Sequence, residues 1–134
     1  QHLGVEQAHL EQLITHTVFS LEGGAAAAGR LITRGATAVI CGSDLMALGA
    51  IRQARSMGRS VPADFSVVGY DASTMMAFTD PPLTTIRQSV DAMGDAAVRA
   101  LLDDIAGEGP PCAEYVFRPE LVVRGSTGAA PPHG

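Results

Sequence analysis

The chain has 134 residues, a formal net charge of −5, and 46% hydrophobic but only 4% aromatic residues, enough for one modest domain or for part of a larger one. Without a Lys/Arg cluster or interleaved aromatics, these residues do not make a nucleic-acid surface by themselves, and no apolar run approaches the ~20 residues of a membrane span. Gln1 in place of Met suggests a processed form or a cut fragment, and Cys41 and Cys112 form no C-x-x-C pair, as expected of a reduced, cytoplasmic chain.

In chain order, "LGVEQAHLEQLI" spaces Val5, Leu10, Leu13 and Ile14 like the end of an amphipathic helix. "HTVF" reads as a short strand. Ser20 is an N-cap candidate for "LEGGAAAAGRLITR", with Glu22 in the first turn and Arg34-Gly35 closing it. "TAVIC" then reads as a buried strand, Ser43-Asp44 as the start of the helix "LMALGAIRQARSMG", and "FSVVGY" as a third strand after the turn "RSVPAD". This β-α-β-α-β order predicts an α/β fold with a parallel sheet flanked by helices. Beyond Pro81-Pro82, "LTTI" is extended and Ser89 is placed to cap a helix reaching Ala106, with Val90, Met93, Ala97, Leu101 and Ile105 on one side. "GEGPP" breaks it; "EYVF" and "ELVVR" read as strands, and "GSTGAAPPHG" as a frayed tail.

Two junctions carry candidate chemistry. At "VICGSDLMALG", Gly42 permits a sharp turn, Asp44 reads as a structural helix cap, and Ser43 as either a cap or a ligand contact. Ser43 lies at the carboxyl end of its strand, where open α/β sheets bind ligands. Asp71 directly follows "SVVGY" at the same edge: it either accepts hydroxyl hydrogen bonds from a sugar-like ligand or begins the loop as an Asx turn. Enzyme signals are poor. There is no G-x-G-x-x-G, no phosphate-binding G-x-x-x-x-G-K-[ST] and no G-x-S-x-G elbow. His2, His9, His16 and His133 are scattered, and the pair Glu6–His9 reads as solvated surface rather than a metal site. A receiver-type phosphoacceptor would need a lysine that is absent from the expected place. No cofactor, metal or catalytic residue is therefore expected. On the helix from Asp44 to Gly58, Met46, Ala47, Ala50, Ala54 and Met57 form an inward stripe, while Leu45, Leu48, Arg52 and Arg55 gather on the far side, as in a subunit interface.

Taken together, "TAVICGSDLMALGAIRQARSMGRSVPADFSVVGYDASTMMAFTDPPLTTIRQS" and "PELVVRGST" resemble the carboxyl-terminal part of lactose-repressor-type (LacI/GalR) transcription regulators, from Phe19 to Thr127. The resemblance implies a periplasmic-binding-protein-like fold of two α/β lobes with a small effector, a sugar or nucleoside, held between them. It also implies a homodimer, and operator DNA bound through a helix-turn-helix headpiece outside this chain. Carried over by position, Asp71 matches an effector-bonding aspartate, Ser43 a pocket-facing polar residue, Phe19 an aromatic that stacks on ligand, and Gln88 a cleft-edge polar residue; Leu45 and Leu48 fall on the dimer helix.

The corresponding division assigns residues 1–87 to the carboxyl-terminal lobe, 88–110 to a crossing segment and helix packed on the other lobe, 111–127 to returning strands and 128–134 to a disordered tail. With that lobe absent, the helix after Ser89 is expected to pack on its own lobe or on a second copy. The alternative reading is an exported solute-binding protein of a sugar-uptake system, which shares the lobe architecture.

Overall fold

The computed structural model describes residues 11–107 and 114–130. The expectations for His2, Val5, Glu6, His9, Leu10, Cys112 and His133 lie outside the described residues.

Helix α1 spans Leu21–Thr33, and its amino end is fixed as the residue types require: the Ser20 hydroxyl accepts from the Gly23 N–H at 3.0 Å. Strand β1 (Ala38–Ile40) follows, then α2 (Asp44–Ser56) and β2 (Ser66–Asp71). A loop with one 3₁₀ turn (Thr74–Ala77) leads to β3 (Thr84–Arg87), α3 (Val90–Ala106) and β4 (Glu120–Val122). The sheet order is β1-β2-β3-β4. The first three strands are parallel, in registers such as Val39 opposite Val67 and Tyr70 opposite Ile86. The link from β1 to β2 is the helical crossover α2, whereas β2 reaches β3 through the long loop, which is still enough chain to reverse direction. The expected parallel sheet is therefore completed as a mixed one: β4 pairs antiparallel with β3, Thr85 lying opposite Val122.

The core lies between the sheet and the two helices: α2 packs on β2, and α1 packs on α2. Ala28, Ile32, Ala47, Ala50, Ile51, Ala54, Phe65, Val67 and Leu83 form it. Small side chains allow a close helix crossing. A Cβ added at Gly24 would run into the Met46 carbonyl, and one at Gly49 into the Leu21 carbonyl, so α1 fixes where the amino end of α2 stands. Met57, expected in the inward stripe, is 40% exposed, and Ile51 fills the core instead.

Five expectations are corrected. Residues 16–19, "HTVF", form no strand, because their polar groups make local bonds such as Ser20 N–H to Val18 O (2.9 Å) rather than a ladder. "TAVIC" is not a buried strand throughout: β1 is a sheet edge, and Ile40 is 74% exposed. "EYVF" is irregular, and only Glu120–Val122 pairs. Ser89 makes no side-chain cap to α3, and no residue of α3 is fully buried: Ala96 and Ala100 are half-buried, and Met93 shares a cleft with Tyr70, Tyr115 and Phe117, so the apolar side expected to be covered stays largely open in the single chain. Finally, the start of the supposed tail is anchored. Ser126 is fully buried, its hydroxyl donating to Val67 O (2.6 Å) and accepting from Thr84 N–H (2.8 Å), while Gly128 N–H reaches Ser66 Oγ (3.1 Å).

Candidate functional site

Parallel strands end at one edge of the sheet, and the chain puts its polar candidates there. Asp71 is the last residue of β2, Gln88 follows β3, and Ser43 begins the turn from β1 into α2. Gln88 Nε2 donates to Asp71 Oδ1 at 3.2 Å, so two residues singled out separately in the sequence meet. Asp71 is exposed, whereas Gln88 is half-buried. A cleft of about 320 Å3 beside them is lined by Tyr70, Gln88, Ser89, Met93, Tyr115 and Phe117, among others.

The backbone at this tip is strained. Asp71 has φ +109° and Ala72 φ +56°, in a region that L-residues enter at a cost of about 1–3 kcal/mol each. Neither is a glycine, so surrounding contacts must hold the turn.

Those contacts correct the expectation that Asp44 is a helix cap. The cap of α2 is Ser43, whose hydroxyl accepts from Met46 N–H at 3.2 Å; it is only 4% exposed. Asp44 is the first helical residue, and its buried carboxylate turns towards the sheet instead. Its Oδ2 accepts from Ser73 N–H at 2.9 Å and its Oδ1 from the Thr85 hydroxyl. Thr85 Oγ1 in turn accepts from Ala72 N–H at 3.3 Å. Gly69 makes room: a Cβ there would collide with Asp44 Oδ1 and the Leu83 side chain. Sequence reasoning missed this network, although the Gly in "SVVGYD" was a visible signal of a close approach.

Phe19 stands exposed beside the same edge, and its ring is what a side chain added at Gly42 would first meet. On α2, Leu45, Arg52 and Arg55 are exposed, whereas Leu48 is half-buried against the core. Arg55 pairs with Asp80 at 3.2 Å, which ties the loop after β2 to this helix face and brings along Met75 and Phe78, both strongly exposed. The sequence reading treated that loop only as a connection. Cys41 points into an apolar groove beside β1, and burial pushes its thiol pKa up to about 12, so it is a packing residue rather than a nucleophile. Among the described residues, no three His, Cys, Asp or Glu side chains are grouped to hold a metal ion, and no helix is long and apolar enough to cross a membrane.

A mainly parallel sheet with polar groups gathered at its strand tips, beside a long helix with no buried residue, is the form of one lobe of a two-lobed binding domain. The comparisons agree. The family model of the periplasmic binding protein-like domain matches residues 2–127. The transcriptional regulator MalR of Streptomyces coelicolor is 59% identical over 96% of this chain and 38% of its own length. The repressor CytR of Escherichia coli K12 is 41% identical over 90% of this chain and 36% of its own. Among solved structures, a transcriptional regulator CelR–cellobiose complex aligns with TM-score 0.81 at 40% identity, covering 87% of this chain and 36% of that one. The lac repressor dimer bound to operator and the anti-inducer ONPF aligns with TM-score 0.76 at 34% identity, covering 84% and 40%. The chain belongs to the LacI/GalR family, as part of its periplasmic-binding-protein-like effector-binding domain. It spans about 38% of the length of MalR.

Proposed function

We propose that this chain is the ligand-sensing and dimerising portion of a LacI-type transcription regulator that acts in the cytoplasm. Its effector is a small polar molecule such as a sugar or nucleoside, held between this lobe and a second one. Asp71 accepts hydroxyl hydrogen bonds from it, Gln88 binds at the cleft edge, Ser43 offers its hydroxyl proton, and Phe19 stacks on the ligand. The observation that carries this reading is the Asp71 carboxylate at the tip of β2, in a strained turn and already within hydrogen-bond reach of Gln88.

The outward face of α2, with Leu45, Leu48, Arg52 and Arg55, is the homodimer surface. Residues 1–87 and 111–127 belong to this lobe, 88–110 cross to pack α3 on the other one, and 128–134 lie beyond the last strand. Operator DNA is contacted by a headpiece outside these residues. Effector binding changes the relative placement of lobes, and hence of headpieces, by preferring one arrangement. No catalytic step is assigned. The relatives are named as regulators, which favours this reading over an exported sugar-uptake protein.

A thermal-shift screen of sugars and nucleosides on the full-length protein tests it. A ligand should raise the melting temperature of the native protein and leave Asp71→Ala unmoved. A ligand that stabilises both equally would sink the assignment.

A further inference from the structure

We propose that Asp44 is the positioning residue of the effector site: it never touches the ligand but holds the backbone that aims Asp71. The inference rests on the reading of Asp71 as the effector acceptor. The chain of bonds is short and complete. Each carboxylate oxygen of Asp44 has its own donor, Oδ2 the Ser73 N–H and Oδ1 the Thr85 hydroxyl. Thr85 Oγ1 accepts from Ala72 N–H, so the residues at Asp71+1 and Asp71+2 are both tied to this one side chain, directly or through Thr85.

Three further observations point the same way. Asp44 is only 4% exposed and Thr85 is fully buried, so water does not replace these bonds cheaply. The turn they hold is the strained one, with positive φ at Asp71 and Ala72, and such a turn persists only where its surroundings over-determine it. Gly69, one strand position from Tyr70, leaves the space into which the carboxylate fits. Asp44 also sits in the first turn of α2, where a carboxylate is favoured by the helix dipole. The side chain thus couples three elements, the amino end of α2, the tip of β2 and the strand β3, at one point beneath the ligand edge.

The chemistry predicts an asymmetry among variants. In Asp44→Asn one of the two oxygens becomes an NH2 donor, so either Ser73 N–H loses its acceptor or the Thr85 hydroxyl can no longer donate to this side chain, and the remaining bond loses its charge assistance. Thr85→Val removes the hydroxyl that both accepts from Ala72 and donates to Asp44, whereas Thr85→Ser keeps it. Gly69→Ala leaves every hydrogen-bonding group in place but displaces the carboxylate.

The test is amide hydrogen exchange across residues 68–76 of the full-length protein, without ligand. Ser73 should exchange about tenfold faster or more in Asp44→Asn, where its bond to a charged group is lost or weakened, and Ala72 should do so in Thr85→Val, where its acceptor is gone. Thr85→Ser should stay near the native value, and amides in α1 should change by less than about twofold. Unchanged protection at Ser73, or an equal rise throughout α1, α2 and β2, would overturn the proposal, the second because it marks a residue that only supports the core. If Asp44→Asn fails to fold, Thr85→Val and Gly69→Ala carry the same comparison. A second arm titrates cellobiose, ribose, lactose and nucleosides by calorimetry. Affinity for whichever binds should fall roughly tenfold in Thr85→Val and recover in Thr85→Ser. A faster-exchanging turn with undiminished affinity would refute the link to binding while leaving the structural tie intact. If no probe depends on Asp71, it is the assignment of the effector site that fails.

Discussion

Ser126→Ala is the most informative perturbation of the fold, because the sequence alone placed this residue in a loose tail. The serine is fully buried, and its hydroxyl serves two groups on different strands: it accepts from Thr84 N–H and donates to Val67 O. The Ser126 carbonyl also accepts from Val67 N–H at 2.8 Å, a bond that alanine keeps. Removing the hydroxyl therefore leaves one buried donor and one buried acceptor without partners, each costing about 1–3 kcal/mol. The missing oxygen leaves a void too small to add much. The expected loss is about 2–6 kcal/mol, or a fall in melting temperature on the order of 10 °C or more for a unit of this size. Urea unfolding of the full-length protein, followed by far-UV circular dichroism, reads it as a lower midpoint at unchanged slope. Ser66→Ala is the control. Its hydroxyl accepts only an exposed bond from Gly128, so it should move stability by no more than about 0.5 kcal/mol. A Ser126→Ala shift no larger than the control would refute the claim that the carboxyl-terminal turn pins β2 to β3.

Three more outcomes follow from the same geometry. Leu45→Lys, at an exposed position on α2, should weaken homodimerisation at least about tenfold in analytical ultracentrifugation while leaving the unfolding midpoint unchanged; an unaltered dimer would remove α2 from the interface. The 134-residue chain produced by itself should self-associate through the open face of α3, where Leu101 and Ile105 are exposed, and Leu101→Glu with Ile105→Glu should return it to monomer; a native monomer with that face in water would contradict the packing argument. In a Cys112→Ser background, Cys41 should resist alkylation at pH 8 until the protein is unfolded. Its folded pKa, pushed by burial from about 9 to about 12, lies above the unfolded value. The unfolded state therefore loses the proton first, and the thiol's contribution is intact below about pH 9 and fades as pH rises towards 12.

The readable parts of the fold were those governed by local rules. Ser20 and Ser43 announce helix starts through their hydroxyls, Arg34-Gly35 closes α1, and the apolar run after Phe65 becomes the central strand β2. What escaped depends on partners far away in the chain. "HTVF" has strand-forming residues, but propensity alone does not make a strand: its backbone is engaged locally, as in Ser20 N–H to Val18 O, and leaves the edge of β1 unpaired. Ser126 looks like tail because its partners, Val67 and Thr84, lie 59 and 42 residues away. Asp44 fits every local criterion for a cap, yet the neighbouring Ser43 takes that role and frees the carboxylate for β3 and the loop after β2. The apolar side of α3 was legible as a face that needs covering, but nothing in its own sequence says what covers it.

Isothermal titration of the full-length protein with the effector found by screening, comparing the native chain with Asp71→Asn, tests the whole account at its narrowest point. Replacing a carboxylate that accepts ligand hydroxyls by an amide of the same shape should cost about 1.5–3 kcal/mol, a loss of roughly 10–100-fold in affinity, with the unfolding midpoint preserved. Equal affinity in the two proteins would mean that the acid at the tip of β2 does not face the ligand, and the sensor reading built on it would fall.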